Sequence, residues 1–366
     1  MKRIDLIAGA RPNFMKIAPI IDALKAAEVR GGSLRFRLIH TGQHYDRAMS
    51  DSFFEELDIP QPDINLEVGP GTQAEQTAAI MVNYEKVLLK DKSDLCLVVG
   101  DVTSTMACAI AARKVGVPVA HVEGGIRSGD WTMPEEINRV VTDSITNWFF
   151  TTSETANDNL RRLSVTDDRI LFVGNTMIDT LLKQLPRFRP PPCWEVLTLE
   201  PGKYFVVTLH RPANVDGDQK LLRLLLAISD GTHEFPVVFP VHPRTAKKLR
   251  ELGNQTPQLN LIDPLGYLEF NYLVKHACAV ITDSGGITEE ATVLGVPCLT
   301  LRDNTERPET VTIGTNELIG TDPNNLAPAL ARLMAGQWKK GTIPPKWDGK
   351  AAERIVDHLE RLLING

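Results

Sequence analysis

Short runs of β-branched and apolar residues recur along this chain, most of them followed by a Gly, Asp or Glu turn and then by apolar residues at helical spacing. This alternation predicts parallel sheets, because parallel strands must be joined by long crossover connections that are usually helices. The predicted strands of the first half are Arg3–Ala8, Arg35–Thr41, Leu95–Val99, Pro118–Val122, Trp148–Thr151 and Ile170–Val173. Those of the second half are Tyr204–Leu209, Val237–Val241, Leu259–Ile262, Ala279–Thr282, Pro297–Leu301 and Glu317–Ile319.

The alternation stops near Leu182, in the tract KQLPRFRPPPCWEVLTLEPG. Five prolines in this tract disfavour regular structure and are typical of a semi-rigid connector. We therefore predict an α/β chain with two doubly wound Rossmann-like domains. The predicted segments are a first domain over 1–182, a connector over 183–202, a second domain over 203–345 and a closing helical segment over 346–366.

The composition indicates a soluble protein, with 43% hydrophobic and 23% charged residues. No apolar run approaches the roughly 20 residues that a membrane helix needs, and the apolar stretch in MKRIDLIAGARP is too short for a signal peptide. The five cysteines show no CxxC spacing, which favours reduced core thiols and a cytoplasmic protein. A net charge of −6 gives no basic footprint for nucleic acid, although a local positive pocket could still bind phosphate.

Polar residues follow several predicted strands at the points where they end. In open parallel sheets, ligands bind beyond the carboxyl ends of the strands. The residues at these ends are Arg11, Asp101, Glu123, His210 and Ser284. If the two sheets face each other, all five look into one cleft between the domains.

The SGGITEEA segment predicts a strand end, a Gly-Gly turn and a helix start. At Ser284, Gly285 and Gly286 the bare backbone and the helix dipole could bind a pyrophosphate, although an ordinary tight turn has the same pattern. Glu290, one turn into the helix, could accept a hydrogen bond from a ribose hydroxyl. Lys16 is either a solvated helix residue or a phosphate ligand.

The acids Asp101, Glu123 and Glu135 lie in or beside apolar surroundings. Taken singly, each is more typical of a structural residue, and Asp101 could cap the helix that begins near Thr103. Together in one cleft they would supply an acid and a base of different strength. Arg139, four residues after Glu135, would share its helix face, either as a salt-bridge partner or at the substrate.

Two histidines also lie at or near strand ends. His121 should point to the same sheet face as Glu123 or be buried, and His242 could line the cleft or be structural. The chain has no Walker A, GxGxxG, HExxH or GxSxG pattern. These are the usual sequence signs of ATP binding, NAD binding, zinc peptidases and serine hydrolases, so none of these functions is indicated. We expect neither cofactor nor metal.

Seven signatures follow one another in one order over about 300 residues. They are GARPNFMK (9–16), TGQHYD (41–46), GDVTST (100–105), HVEGG (121–125), MPEEINR (133–139), TLHRP (208–212) and TDSGGITEEA with RDNTERPE (282–309). By these motifs the chain resembles the non-hydrolysing UDP-N-acetylglucosamine 2-epimerases. The resemblance implies a GT-B-like architecture, a closing helix that packs back on the first domain, a homodimer and a role in polysaccharide biosynthesis.

The resemblance also implies the chemistry: an anti elimination of UDP from a UDP-sugar to 2-acetamidoglucal, followed by re-addition. The implied catalytic residues are Asp101, Glu123, Glu135 and His210. The implied substrate-binding residues are Arg11, Lys16, Arg139, His242, Phe270, Ser284, Gly285, Gly286, Glu290 and Arg307, with Asp303 and Glu306 in the same loop as Arg307.

The chain departs from much-studied bacterial members in the segment IRSGDWTM, which is shorter here, and at Asp46 and VGPGT, where those members carry residues of an allosteric site. Substrate activation is therefore left open. A related branch acts on UDP-2,3-diacetamido-glucuronic acid and tends to replace the ERPE element that this chain keeps at 306–309. Hydrolysing relatives, a GT-B glycosyltransferase and an inactive nucleotide-sugar-binding protein are the further alternatives; the four catalytic residues argue against the last.

Overall fold

The computed structural model describes residues 1–9, 11–42, 56–233, 235–241, 249 and 259–364. They form two compact units, one made of Met1–Lys183 with Pro345–Gly366 and the other of Gln184–Pro344.

The strands of the two units are numbered in chain order. They are β1 (Lys2–Ala8), β2 (Leu34–His40), β3 (Ile64–Asn65), β4 (Leu95–Val99), β5 (Val119–Val122), β6 (Trp148–Thr151), β7 (Ile170–Phe172), β8 (Phe205–Thr208), β9 (Val237–Pro240), β10 (Leu259–Ile262), β11 (Ala279–Thr282), β12 (Cys298–Thr300) and β13 (Asn316–Leu318).

The α-helices lie between and after the strands. They are α1 (Arg11–Val29), α2 (Gln73–Lys90), α3 (Thr103–Lys114), α4 (Pro134–Ile145), α5 (Glu154–Arg162), α6 (Thr176–Gln184), α7 (Cys193–Val196), α8 (Pro212–Val215), α9 (Asp218–Gly231), α10 (Tyr267–His276), α11 (Gly285–Leu294), α12 (Pro308–Thr312), α13 (Leu326–Met334) and α14 (Ala351–Ile364). Within the described ranges, no helix combines the length and apolarity needed to cross a membrane.

Each unit contains one sheet whose strand pairs are all parallel. The first sheet has the order β3-β2-β1-β4-β5-β6-β7 and the second has the order β10-β9-β8-β11-β12-β13. The strand order reverses between β1 and β4 in the first sheet and between β8 and β11 in the second. The predicted class, an α/β chain with two doubly wound Rossmann-like sheets, is confirmed.

The cores follow from the two-residue period of the strands. Along β8, Phe205 and Val207 belong to one buried cluster, whereas Val206 belongs to another with Tyr204. Alternate side chains therefore face helices on both sides of the sheet. In the first unit, the fully buried strand LCLVV (95–99) is a continuous apolar run, as a strand covered on both faces requires.

Local sequence signals set several helix ends. Helix α2 begins after Thr72, whose side chain accepts from the Glu75 amide while the Glu75 side chain accepts from the Thr72 amide. Pro134 occupies the first turn of α4, where backbone N–H groups have no hydrogen-bond partner within the helix. The N–H that proline lacks is therefore not missed there. Gly295 ends α11 in the left-handed conformation, with φ of 71°.

The closing helix α14 packs against α1 within the first unit. The Asp179 carboxylate accepts hydrogen bonds from the amides of Ala351 (3.1 Å) and Ala352 (2.7 Å), so a side chain of α6 caps α14. Burial raises the pKa of Asp179 to about 6 in spite of these two bonds. Trp347, just before α14, is buried and donates to the Thr152 carbonyl at 3.0 Å.

Residues 183–202, predicted to be a connector without regular structure, contain a 3₁₀ turn at Leu185–Arg187 and the short helix α7. Trp194 of α7 packs edge-on against Tyr204 and Tyr272. These aromatic contacts hold α7 against the rest of the second unit, so part of the tract is regular in spite of its prolines.

Candidate active site

Lys16 and Glu123 meet beside the strand-order reversal of the first unit. Their Nζ and Oε2 atoms are 2.7 Å apart, and the two side chains are 12% and 3% exposed. Lys16 lies on α1, whereas Glu123 directly follows β5. A solvated Lys16, one of the two alternatives from sequence, is therefore wrong: the ammonium lies in a buried ion pair with a carboxylate.

Tight backbone turns let these side chains approach. Gly100, after β4, has φ of 71°, and a Cβ there would lie 3.2 Å from Lys16 Nζ. Gly9, after β1, packs so closely on α3 that a Cβ would lie 2.1 Å from Ser104 Oγ. Asn13 ties the two loops together by donating to the Val99 carbonyl at 2.8 Å. The ends of β1 and β4 are thus held together by the residues of two signature motifs.

Asp101 is held by a guanidinium. Its Oδ2 accepts from Arg139 Nε at 3.1 Å and from Arg139 Nη2 at 2.5 Å, and the side chain is 29% exposed. Its Oδ1 makes no hydrogen bond to any residue that the structure describes. The alternative role as a helix cap is wrong, because Val102, and not Asp101, is the N-cap residue of α3.

Arg139 does not form the salt bridge with Glu135 that was one of the two alternatives from the four-residue spacing. Its Nη1 instead donates to Glu136 Oε2 at 2.7 Å, and Glu136 is 2% exposed. Glu136 also accepts from the amides of Ser128 and Gly129, both at 3.0 Å. Burial alone would raise the pKa of Glu136, but these amides and Arg139 lower it overall. Glu135 is half-buried and makes no hydrogen bond within the described ranges.

His121 is buried and supports the same loops. Its Nε2 lies 2.8 Å from the Gly100 carbonyl and its Nδ1 lies 2.7 Å from Asp143 Oδ1, so both ring nitrogens face acceptors. Asp143 Oδ2 also accepts from the Gly125 amide and from Arg127. Burial by itself would raise the pKa of Asp143, yet His121 and Arg127 lower it. Sequence reasoning missed Asp143; its only signal was its position on the helix that begins in PEEINR.

His210 and Asp283 meet at the strand-order reversal of the second unit. His210 Nδ1 lies 2.7 Å from Asp283 Oδ1, and the two side chains are 61% and 0% exposed. Asp283 Oδ2 also accepts from the amides of His210 and Arg211 and from Asn214 Nδ2, at 3.0 to 3.1 Å. Burial would raise the pKa of Asp283, but the hydrogen bonds and charge of His210 outweigh it and the pKa is lowered.

Asp283 was also missed by sequence reasoning, although it lies within TDSGG. An ionised Asp283 keeps a proton on His210 Nδ1, which fixes the tautomer and leaves Nε2 to face a ligand.

Ser284 occupies the N-cap position of α11, and Gly285 and Gly286 are its first two residues. The Ser284 side chain makes no capping hydrogen bond, so the helix is not capped by it. A Cβ on Gly285 would lie 2.6 Å from Glu306 Oε1, and Glu306 in turn pairs with Arg302 at 2.6 Å. The first turn of α11 therefore packs closely on the loop of the RDNTERPE motif.

Glu290 is buried and accepts from the Tyr267 hydroxyl at 2.8 Å. Burial raises the pKa of Glu290 to about 7, with Glu289 adding to the shift and Tyr267 opposing it. Arg307 is buried in an ion pair with Glu289. Phe270, on α10, is partly buried against the core of the second unit.

Two predicted residues lie wholly or partly outside the described parts of the chain. Helix α1 begins at Arg11, but the Arg11 side chain is not among the described parts, and His242 lies outside the described residues. Asp303 accepts from the Thr321 amide and hydroxyl and so links the loop after β12 to the segment after β13. In the part of the chain that the structure describes, no three His, Cys, Asp or Glu side chains cluster as metal ligands would.

Comparison with known proteins identifies the family. A family model described as UDP-N-acetylglucosamine 2-epimerase matches residues 27–360. A protein of that name from Methanocaldococcus jannaschii is 41% identical over 366 residues, covering 97% of this chain and 98% of the relative.

Solved structures and a second relative extend the comparison. A crystal structure of the Methanocaldococcus jannaschii UDP-GlcNAc 2-epimerase with UDP-GlcNAc and UDP has a TM-score of 0.84 at 41% identity, covering 98% of this chain and 99% of that one. A Pseudomonas aeruginosa UDP-2,3-diacetamido-2,3-dideoxy-D-glucuronate 2-epimerase is 37% identical and covers 98% of this chain and 100% of its own. With matches along almost its whole length, the chain belongs to the UDP-N-acetylglucosamine 2-epimerase family, a family of isomerases.

Proposed function

We propose that this chain interconverts UDP-N-acetylglucosamine and UDP-N-acetylmannosamine by eliminating UDP across C1 and C2 of the sugar and adding it back. The observation that carries the proposal is that Asp101 and Glu123 lie just beyond the adjacent strands β4 and β5, and each contacts a cation of its own. The relatives that match the whole chain carry the name of this activity.

The carboxylates of the first unit handle the proton. Asp101, held through Oδ2 by Arg139, presents Oδ1 as an acceptor for the C2 proton. The electrons of the C2–H bond form the C1–C2 double bond as the C1–O bond to the diphosphate breaks. Asp101, Glu123 and Glu135 together provide the groups that take the proton from one face and return it to the other.

The second unit stabilises the leaving diphosphate. UDP departs with negative charge, which the N-terminal amides of α11 and an imidazolium at His210 can stabilise. Glu290, beside Tyr267, is the predicted partner of a ribose hydroxyl. Arg11, His242, Phe270 and Arg307 are further predicted contacts of the UDP-sugar.

Proton NMR in heavy water, with UDP-N-acetylglucosamine and no added cofactor, tests the proposal. UDP-N-acetylmannosamine should appear while the C2 proton signal disappears, because the abstracted proton exchanges with solvent. Free UDP with free N-acetylmannosamine would indicate a hydrolysing enzyme. No conversion of the substrate would refute the proposed activity.

A second candidate substrate is UDP-2,3-diacetamido-glucuronic acid, favoured by the 37% identical Pseudomonas aeruginosa relative. This chain keeps the ERPE element at 306–309, which favours UDP-N-acetylglucosamine. The same NMR assay with both substrates decides between them, since the preferred one has the larger kcat/KM.

The proposal also includes a cytoplasmic homodimer. All five cysteines are free thiols, as expected in a reducing compartment. Val82 and Leu89, on one face of α2, are 50% and 72% exposed, and a second copy of the chain could cover them. Sedimentation of the purified chain tests the dimer.

A further inference from the structure

We propose that Glu136 is a positioning residue for the reaction: it orients Arg139 so that the guanidinium holds Oδ2 of Asp101 and leaves Oδ1 open. The inference rests on the proposed function. It assigns different roles to the two neighbouring acids of PEEINR, with Glu136 acting through Arg139 and Glu135 remaining a candidate for the chemistry itself.

The geometry forms a chain of three charged groups. Arg139 donates through Nη1 to Glu136 and through Nε and Nη2 to Asp101, so its fork is fixed between two carboxylates. The Arg139 and Glu136 side chains are 4% and 2% exposed, and water therefore cannot replace either partner readily.

Glu136 is itself fixed from outside its helix. Its Oε1 accepts from the Gly129 amide, and its Oε2 accepts from the amide and hydroxyl of Ser128 at 3.0 and 3.1 Å. These donors belong to the loop that joins Glu123 to α4. Through Arg139, Glu136 thus connects the loop after β5 with Asp101, just beyond β4.

The arrangement has a direct consequence for catalysis. Oδ2 of Asp101 receives both Arg139 bonds, so the reactive oxygen is Oδ1, and its direction depends on the guanidinium. An error of about 1 Å in placing a catalytic group can cost on the order of 10²-fold in rate. Loss of the Glu136 charge should therefore lower kcat even though Glu136 touches no reacting atom.

The test compares Glu136→Gln, Arg139→Lys and the double variant in the NMR assay. Glu136→Gln should lower kcat and C2 deuterium exchange together by on the order of 10²-fold, with KM within about threefold of wild type. Lysine keeps the charge at position 139 but cannot form the fork. If Glu136 acts through Arg139, the kcat of the double variant should lie within about threefold of the kcat of Arg139→Lys alone.

Glu353→Gln, an exposed change on α14 of the same unit, is the matched control and should behave as wild type. Circular dichroism and thermal melting check that the variants are folded. If Glu136→Gln fails to fold, Glu136→Asp takes its place: aspartate keeps the charge, but its shorter side chain draws the carboxylate away from Arg139, so kcat should fall here as well. Fully additive losses in the double variant, or a normal kcat in Glu136→Gln, would overturn the role of Glu136. An inactive wild-type enzyme would instead overturn the proposed function, so the two failures are distinguishable.

Discussion

Replacing Asp283 by Asn probes the His210–Asp283 pair while preserving its shape. The amide oxygen of the introduced side chain can take the place of Oδ2, where it still accepts from the His210 and Arg211 amides and from Asn214. The amide nitrogen of that side chain then faces His210 Nδ1, which can no longer donate. The imidazole must adopt the other tautomer, and the ionic partner that stabilises its protonated form is lost.

The magnitude follows from the bond that is removed. The Nδ1 to Oδ1 contact is 2.7 Å long and its acceptor is fully buried, so it is a charge-assisted hydrogen bond. Such a bond contributes about 1.5–3 kcal/mol. If His210 stabilises the departing diphosphate, Asp283→Asn should reduce kcat by roughly 10- to 100-fold, with a smaller effect on KM.

The assay is the steady-state rate of UDP-N-acetylglucosamine conversion, with Asp322→Asn as the control. Asp322 is an exposed cap of a 3₁₀ turn in the same unit, and Asn caps as well as Asp. A kcat within about twofold of wild type for Asp283→Asn would refute the reasoning. So would a double variant, Asp283→Asn with His210→Asn, that is much slower than His210→Asn alone, because Asp283 would then act independently of the imidazole.

Three further predictions concern buried ionisable groups. Lys16→Met leaves the Glu123 carboxylate buried without its 2.7 Å partner and should lower the free energy of unfolding by about 3 kcal/mol in urea titrations, whereas no change would mean that Glu123 is stabilised by other groups. Because burial raises the pKa of Glu290 to about 7, the folded state holds a proton that the unfolded state has released, and stability should fall by on the order of 3 kcal/mol as the pH rises from about 4.5 to above 7. Glu290→Gln should remove that fall in the same titrations, and an unchanged pH dependence would contradict it. Asp179→Asn replaces one of the two carboxylate oxygens that cap α14 and should lower the free energy of unfolding by about 1 kcal/mol. Amide hydrogen exchange at Ala351 and Ala352 should then be faster. Equal exchange in variant and wild type would show that the cap is dispensable.

Much of the fold could be predicted because its strands are buried on both faces. Such strands are short apolar runs bounded by turns, and Leu95–Val99 and Trp148–Thr151 were predicted with the bounds that the structure has. Strand β3 was missed because Ile64–Asn65 is too short to show any period; only its pairing with Ile39 and His40 makes it a strand.

The placement of the site residues was predictable where it depends on topology alone. Asp101 and Glu123 lie beyond adjacent parallel strands, as the strand-end rule requires. Their partners were not predictable in the same way. Residues three and four positions before Arg139 both lie on its face of the helix. The helix alone therefore cannot decide whether Arg139 pairs with Glu135 or with Glu136. The amides of Ser128 and Gly129, which belong to a loop, decide it by fixing Glu136.

The order of the strands explains why the signature motifs act in pairs that are distant in sequence. Strand β1 pairs with β4, and β4 pairs with β5, so Lys16 in the first motif reaches Glu123 after β5 over a separation of 107 residues. Strand β8 pairs with β11, so His210 reaches Asp283 over 73 residues. In both units the pair lies at or beside the point where the strand order reverses, which is where open parallel sheets bind their ligands. A catalytic residue and its charge partner therefore come from different motifs, and neither pair exists until its sheet has assembled. The effect of a substitution in one residue of such a pair therefore depends on the motif that supplies the other residue, and not on the residues next to it in sequence.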